Sequence, residues 1–154
     1  MCTAAEGLAS GGLREAGYTY VNLDDWYAVR DPVTGKIQGS PATFPSGMAN
    51  LSAAIHAQGL RFGVYSAASQ RTCANWSASL FREEQDARTF ALDWRIDYLK
   101  YDSCLYNAGV ASRARYLAMG RALNATGRPI LYSLCNWGTG GPHLPILVVA
   151  ENNI

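Results

Sequence analysis

The chain has 154 residues, 16% of them charged, with a net charge of +1 and no basic block. That balance gives no case for a nucleic-acid partner or for an anionic membrane surface. No apolar run reaches the length of a membrane span, and no basic-then-apolar signal peptide is visible at the start.

In chain order, residues 4–16 carry spaced Leu and Ala and run to Gly17, a natural helix stop. Residues 18–23 read as a buried strand, and 26–46, rich in Pro and Gly, as a long loop. Residues 48–58 place Leu51, Ala54, Ile55 and Gln58 at helical spacing before Gly59, and 60–65 read as the next strand. A helix over 79–93 has one apolar and one charged face. A third strand over 96–101, a helix over 112–125 closed by Gly127 and Pro129, and a fourth strand over 130–134 follow. Strand ends recur every 33 to 42 residues, the rhythm of a βα barrel or a doubly wound sheet. No glycine-rich phosphate loop follows any strand, which counts against nucleotide binding.

Residues able to do chemistry collect at the strand ends: Asp24 and Asp25, then Tyr65, then Lys100 and Asp102, then Cys135 and Asn136. In a βα barrel that rim is where active sites lie. On a strand over 96–102, alternation puts Tyr98, Lys100 and Asp102 on one face, with Leu99 and Tyr101 on the other. Charges inside a sheet are costly unless paired or functional. The ammonium of Lys100 is expected to favour an ionised Asp102, ready to attack or to accept a proton. The plainer reading is an internal Lys–Asp pair on an edge strand. Cys2, Cys73, Cys104 and Cys135 show no C-x-x-C spacing and no histidine nearby, so disulfides fit better than zinc. Sequons at Asn50, Asn75 and Asn124 lean towards a secretory history. His56 and His143 need no role, and no metal or organic cofactor is implied.

The ordered segments Tyr20-Val21-Asn22-Leu23-Asp24-Asp25, Phe44-Pro45-Ser46-Gly47, Gly59-Leu60-Arg61-Phe62-Gly63-Val64-Tyr65-Ser66, Arg71-Thr72-Cys73, Glu83-Glu84-Gln85-Asp86-Ala87, Asp97-Tyr98-Leu99-Lys100-Tyr101-Asp102 and Tyr132-Ser133-Leu134-Cys135 carry a resemblance. Over residues 5–138 the chain resembles the α-galactosidase (melibiase) family, glycoside hydrolase family twenty-seven. The resemblance implies an α/β fold: part of a (β/α)8 TIM barrel, about four βα units with a parallel sheet, the family's second to fifth strands. A whole barrel takes roughly 250 residues. Residues 1–138 are therefore expected to be a partial catalytic barrel and 139–154 a divergent tail, with the family's C-terminal β domain absent. A truncated or mis-spliced gene model would account for this.

By motif, the resemblance implies that Asp102 is the nucleophile of a retaining hydrolysis of terminal α-galactosides. Lys100, Asp24, Asp25, Tyr65 and Asn136 are implied to bind the sugar, Asn136 standing where many relatives have Glu, and Cys73 is implied to pair with Cys104. The partner is then an α-galactoside oligosaccharide or glycoconjugate, and the location secreted, lysosomal or vacuolar. Three departures stand out. Asp24-Asp25-Trp26-Tyr27 replaces the usual Asp-Asp-Cys-Trp, leaving Cys2 as an orphaned partner. Cys135 lacks its customary mate. The acid/base aspartate belongs to a later family strand absent from this chain, so the polypeptide is expected to be inactive. The alternatives are an α-N-acetylgalactosaminidase, a non-catalytic sugar binder or remnant, and an unrelated doubly wound binding domain.

Overall fold

The computed structural model describes residues 2–104 and 111–137. Four short strands build its main sheet: β1 (Tyr20–Asn22), β4 (Arg61–Ala67), β5 (Tyr98–Asp102) and β6 (Leu131–Cys135). They lie side by side in the order β1-β4-β5-β6, and every pairing is parallel. Each parallel neighbour must be reached by a crossover, and helices supply it. These are α2 (Gly47–His56) before β4, α3 (Glu83–Arg88) before β5 and α4 (Ser112–Asn124) before β6.

The strands are apolar because both of their faces are covered. Phe62, Val64, Leu99, Tyr101 and Tyr132 are buried, packed with Ile55 and Leu51 of α2, Ala87 of α3, and Met119 and Leu123 of α4. Gly63 is required by close approach: a Cβ there would run into the Asn22 side chain on β1 and the Tyr98 ring on β5. Among the described residues no helix is long and apolar enough to cross a membrane.

Three expectations are corrected. The first helix, α1, spans Cys2–Ser10 and gives way to turns well before Gly17. Gly11 and Gly12 stop it, Gly12 with φ +77°, a conformation a helix cannot continue. The long loop contains a two-stranded antiparallel ribbon, β2 (Ala28–Arg30) and β3 (Ile37–Gly39). Its turn is made by Asp31, whose Oδ1 accepts hydrogen bonds from the Val33 and Thr34 N–H groups, and by Gly35 at φ +68°. The Asp-Pro-x-x-Gly turn was the legible signal for it. The helix over 79–93 begins only at Glu83 and passes into a π-helical turn over Thr89–Asp93. There one extra residue per turn buries Phe90 beside Trp94, the ring centroids 5.3 Å apart.

The ribbon is tied to α3 by an ion pair absent from the sequence reading. Arg30 Nη2 lies 2.5 Å from Asp86 Oδ2, and Nη1 donates to Oδ1 at 2.9 Å. The same guanidinium donates to the Gly35 and Ala78 carbonyls. Asp86 is fully buried, and the forked guanidinium offsets the cost of burying its carboxylate. At the opposite end of the sheet from the carboxylates described below, Asp97 accepts from Arg128 and the Phe62 N–H and bonds His56 Nε2 at 2.7 Å. His56 thus has a structural place. The tail beyond 137 and the side chain of Cys2 lie outside the described residues.

Candidate active site

Parallel strands start at one end of the sheet and finish together at the other, so residues that end different strands become neighbours. The register sets this out: Tyr65 on β4 is level with Lys100 on β5, and Asp102 is level with Ala67 on one side and Cys135 on the other. As alternation requires, Leu99 and Tyr101 point into the core while Lys100 remains part-exposed.

Asp102, 3% exposed, ends β5 with its carboxylate surrounded by donors. The Ser103 N–H donates to Oδ1 at 2.7 Å, and so does the indole Nε1–H of Trp137 at 2.8 Å. The Tyr65 hydroxyl lies 3.3 Å from Oδ2, with the Cys73 sulphur 3.4 Å away. A carboxylate held at both oxygens has little rotational freedom.

The Lys100–Asp102 pairing expected from the sequence is not the one formed. Lys100 Nζ donates instead to Asp24 Oδ2 at 2.8 Å, across from the end of β1. The reason is reach. Residues two apart on a strand point the same way, but a four-carbon stem finds a partner more readily across the sheet. Burial pushes the Asp24 carboxyl up, but the Lys100 hydrogen bond, the Asp25 N–H and the Lys100 charge outweigh it and hold it below the ordinary aspartate range. For Lys100, burial lowers the ammonium, and Asp24 followed by the Asp102 charge raises it above its ordinary value. Asp102 therefore acts on Lys100 through space. The ammonium also lies 5.0 Å from the centroid of the Tyr65 ring.

Asp25 plays a different part from Asp24. Its Oδ1 accepts the Trp26 N–H at 2.7 Å, and its Oδ2 accepts the Ala74 N–H at 2.8 Å, clamping the loop after β1 to the loop after β4. Tyr65 is buried, and its phenol is raised well above the tyrosine range, first by burial and then by the Asp102 charge. The Tyr27 hydroxyl donates to its carbonyl at 2.8 Å. Asn136 follows β6 at the same rim and is half-buried.

The Cys73–Cys104 disulfide forms, with Cα atoms 4.9 Å apart, and joins the loops after β4 and β5 beside Asp102. Cys73, Cys104 and Asp102 bring three potential metal-ligand atoms together, but both sulphurs are committed to the disulfide and offer no thiolate. Cys135 carries a free thiol, raised by burial and then by the Asp102 charge.

Two contributors escaped the sequence reading. Trp137 lies just past the last strand and announces itself by no spacing rule. Arg115 of α4, 4% exposed, donates to the Ala68 carbonyl and to Ser103 Oγ, bracing the residue next to Asp102. A buried arginine within an apolar helix face was the available signal.

A parallel βα sheet whose carboxylates gather at the carboxyl ends of its strands places the chain in the βα-barrel fold class. The family model described as alpha galactosidase A (Melibiase_2) matches residues 1–144, and the chain belongs to that family. An alpha-galactosidase of Cyamopsis tetragonoloba is 45% identical over 142 residues, covering 91% of this chain and 34% of the relative. Alpha-galactosidase 3 of Arabidopsis thaliana is 47% identical, covering 91% and 32%. Among solved structures, alpha-galactosidase I of Mortierella vinacea superposes with a TM-score of 0.86 at 48% identity, covering 92% of this chain and 36% of that one. The Saccharomyces cerevisiae alpha-galactosidase with raffinose gives 0.82 at 45%, covering 89% and 31%. The chain thus spans about a third of the length of the curated relatives it matches. A putative alpha-N-acetylgalactosaminidase of Bacillus halodurans, at 20% identity and a TM-score of 0.71, shares the fold alone.

Proposed function

We propose that this chain supplies the galactose-binding and nucleophile-bearing part of a retaining α-galactosidase, acting on terminal α-linked galactose of oligosaccharides or glycoconjugates. One observation carries the reading. A nearly buried carboxylate at the end of β5 is held by the Ser103 and Trp137 N–H groups, on the rim that also presents the Asp24–Lys100 ion pair. A nucleophile for retention has to be fixed in place and reachable from the rim. A galactose ring needs charged hydrogen-bond partners for its hydroxyls, and Asp24 with Lys100 supplies an acceptor and a donor in register. Asp25 fixes the loops that frame the pocket, and Tyr65 and Asn136 line it.

In the first step an Asp102 oxygen attacks the anomeric carbon, the bond to the leaving group breaks, and the leaving group takes the electron pair. A poor leaving group then needs a proton. Asp24 is committed to Lys100 and Asp25 to two backbone N–H groups, and the family resemblance implies that this proton comes from an aspartate on a later family strand, outside the 154-residue sequence. General acid assistance is worth roughly a hundredfold to ten-thousandfold. The chain by itself should therefore turn over ordinary galactosides at a small fraction of a complete site's rate. A secreted or vacuolar location fits the sequons and the disulfide.

A fluoride leaving group departs without protonation, which isolates the nucleophile. Incubation with 2-deoxy-2-fluoro-α-galactosyl fluoride should add one fluoro-galactosyl group to the protein, located at Asp102 by peptide mass spectrometry. Label on another residue, or label that persists in Asp102→Asn, would refute the assignment.

A further inference from the structure

Trp26 is an anomaly that the proposed chemistry does not absorb. It is a large aromatic residue 70% exposed, directly after the Asp24–Asp25 pair. Its backbone stands at φ +74°, a left-handed conformation that an L-residue with an indole side chain rarely adopts. The conformation is fastened at both ends. The Trp26 N–H donates to Asp25 Oδ1 at 2.7 Å, and the next residue, Tyr27, is 2% exposed with its hydroxyl on the Tyr65 carbonyl. Asp25 is itself clamped to the Ala74 N–H at 2.8 Å. Trp137, the other exposed tryptophan at this rim, has its indole N–H occupied by Asp102. The Trp26 indole has no such partner among the described residues. A strained backbone that holds an unoccupied indole in water, fastened to the loop-clamping Asp25 next to Asp24, is arranged for a ligand that arrives later.

We propose that Trp26 is a specificity-determining residue, an aromatic platform for the sugar attached to the anomeric oxygen of galactose. A pyranose presents hydroxyls at its edge and a patch of C–H bonds on its face. The face stacks on an indole while the edge stays hydrated. Asp24 and Lys100 are taken up with the terminal galactose, so a residue one step outward along the same loop meets the next ring. The preference therefore goes to α-galactosides whose leaving group is itself a sugar, over free galactose or galactosides with a small alkyl aglycone. This rests on the function proposed above.

Equilibrium binding of galactose, methyl α-galactoside and melibiose to the full chain tests it, in wild type, Trp26→Phe, Trp26→Ala and Trp26→Gly. Melibiose should bind wild type more tightly than methyl α-galactoside. Trp26→Ala and Trp26→Gly should both lose about 3- to 10-fold for melibiose, the size of one aromatic contact, with galactose unchanged. Trp26→Phe should keep most of the melibiose affinity. Glycine is at ease at φ +74°, so Trp26→Gly should unfold at a higher urea concentration than Trp26→Ala, which separates lost binding from lost folding. Equal melibiose affinity in all four proteins, with galactose still bound, would overturn the platform alone. Failure of wild type to bind galactose would overturn the function reading and the platform with it.

Discussion

Lys100 belongs energetically to two carboxylates but touches one. Its hydrogen bond goes to Asp24, and the charge of Asp102 is felt from further off. The pH response follows from the directions of the two shifts. Asp24 is held below its ordinary value, so its share of stability is present above the unfolded aspartate value, about 4, and is lost as pH falls through the lower folded value. Lys100 is held above its ordinary value, so its share is complete below about 10.5 and is lost as pH rises through the folded value. Lys100→Met should lower the neutral plateau slightly and so flatten both limbs of the stability-versus-pH curve, the two proteins converging at low and at high pH. The effect should be small, because Asp24 is two-thirds exposed and water screens the pair. Urea denaturation at a series of pH values measures it, and identical acid limbs in the two proteins would contradict the assignment.

Among the elements, the ribbon of β2 and β3 is anchored by the burial of Ala28 and Ile37 and by its contact with the buried Asp86 carboxylate. Its three-residue strands offer few ladder hydrogen bonds of their own. The Arg30–Asp86 fork joins it to α3, and the ribbon's turn, the Ala78 carbonyl and the buried carboxylate share one guanidinium. Asp86→Ala leaves a part-buried arginine without its anion and should destabilise the fold by about 3 kcal/mol, read as a lower urea midpoint. Replacing both partners together, Arg30→Met with Asp86→Leu, should recover most of the loss, because the cost lies in the stranded charge. A single Asp86→Ala loss below about 1 kcal/mol would show that the fork is dispensable.

Over the whole molecule, the disulfide links loops that follow neighbouring strands, with a sequence separation of 31 residues. Chain entropy puts its contribution at roughly 3–4 kcal/mol. The double variant Cys73→Ala/Cys104→Ala should therefore melt several degrees lower. It should also label more slowly with the fluoro-galactosyl fluoride, since the Cys73 sulphur packs against Asp102. Unchanged melting would mean that the open chain keeps the loops together by other contacts.

The order of helices and strands, the carboxylates at the strand ends and the alternation that turns Lys100 and Asp102 away from the core were all legible in the sequence. Each depends on a residue's own conformation or on neighbours a few positions away, which spacing records directly. The segment over 79–93 reads as one α-helix because a π-helical turn keeps roughly helical spacing. The ribbon was missed because Pro and Gly mark turns without saying what lies between them. Which charges meet was decided only in three dimensions. Asp24 lies 76 residues from Lys100, Arg30 lies 56 from Asp86, and Trp137 lies 35 from Asp102. Contacts at such distances are set by parallel register and by the crossover helices, and a linear pattern holds no trace of the register until the strands have paired.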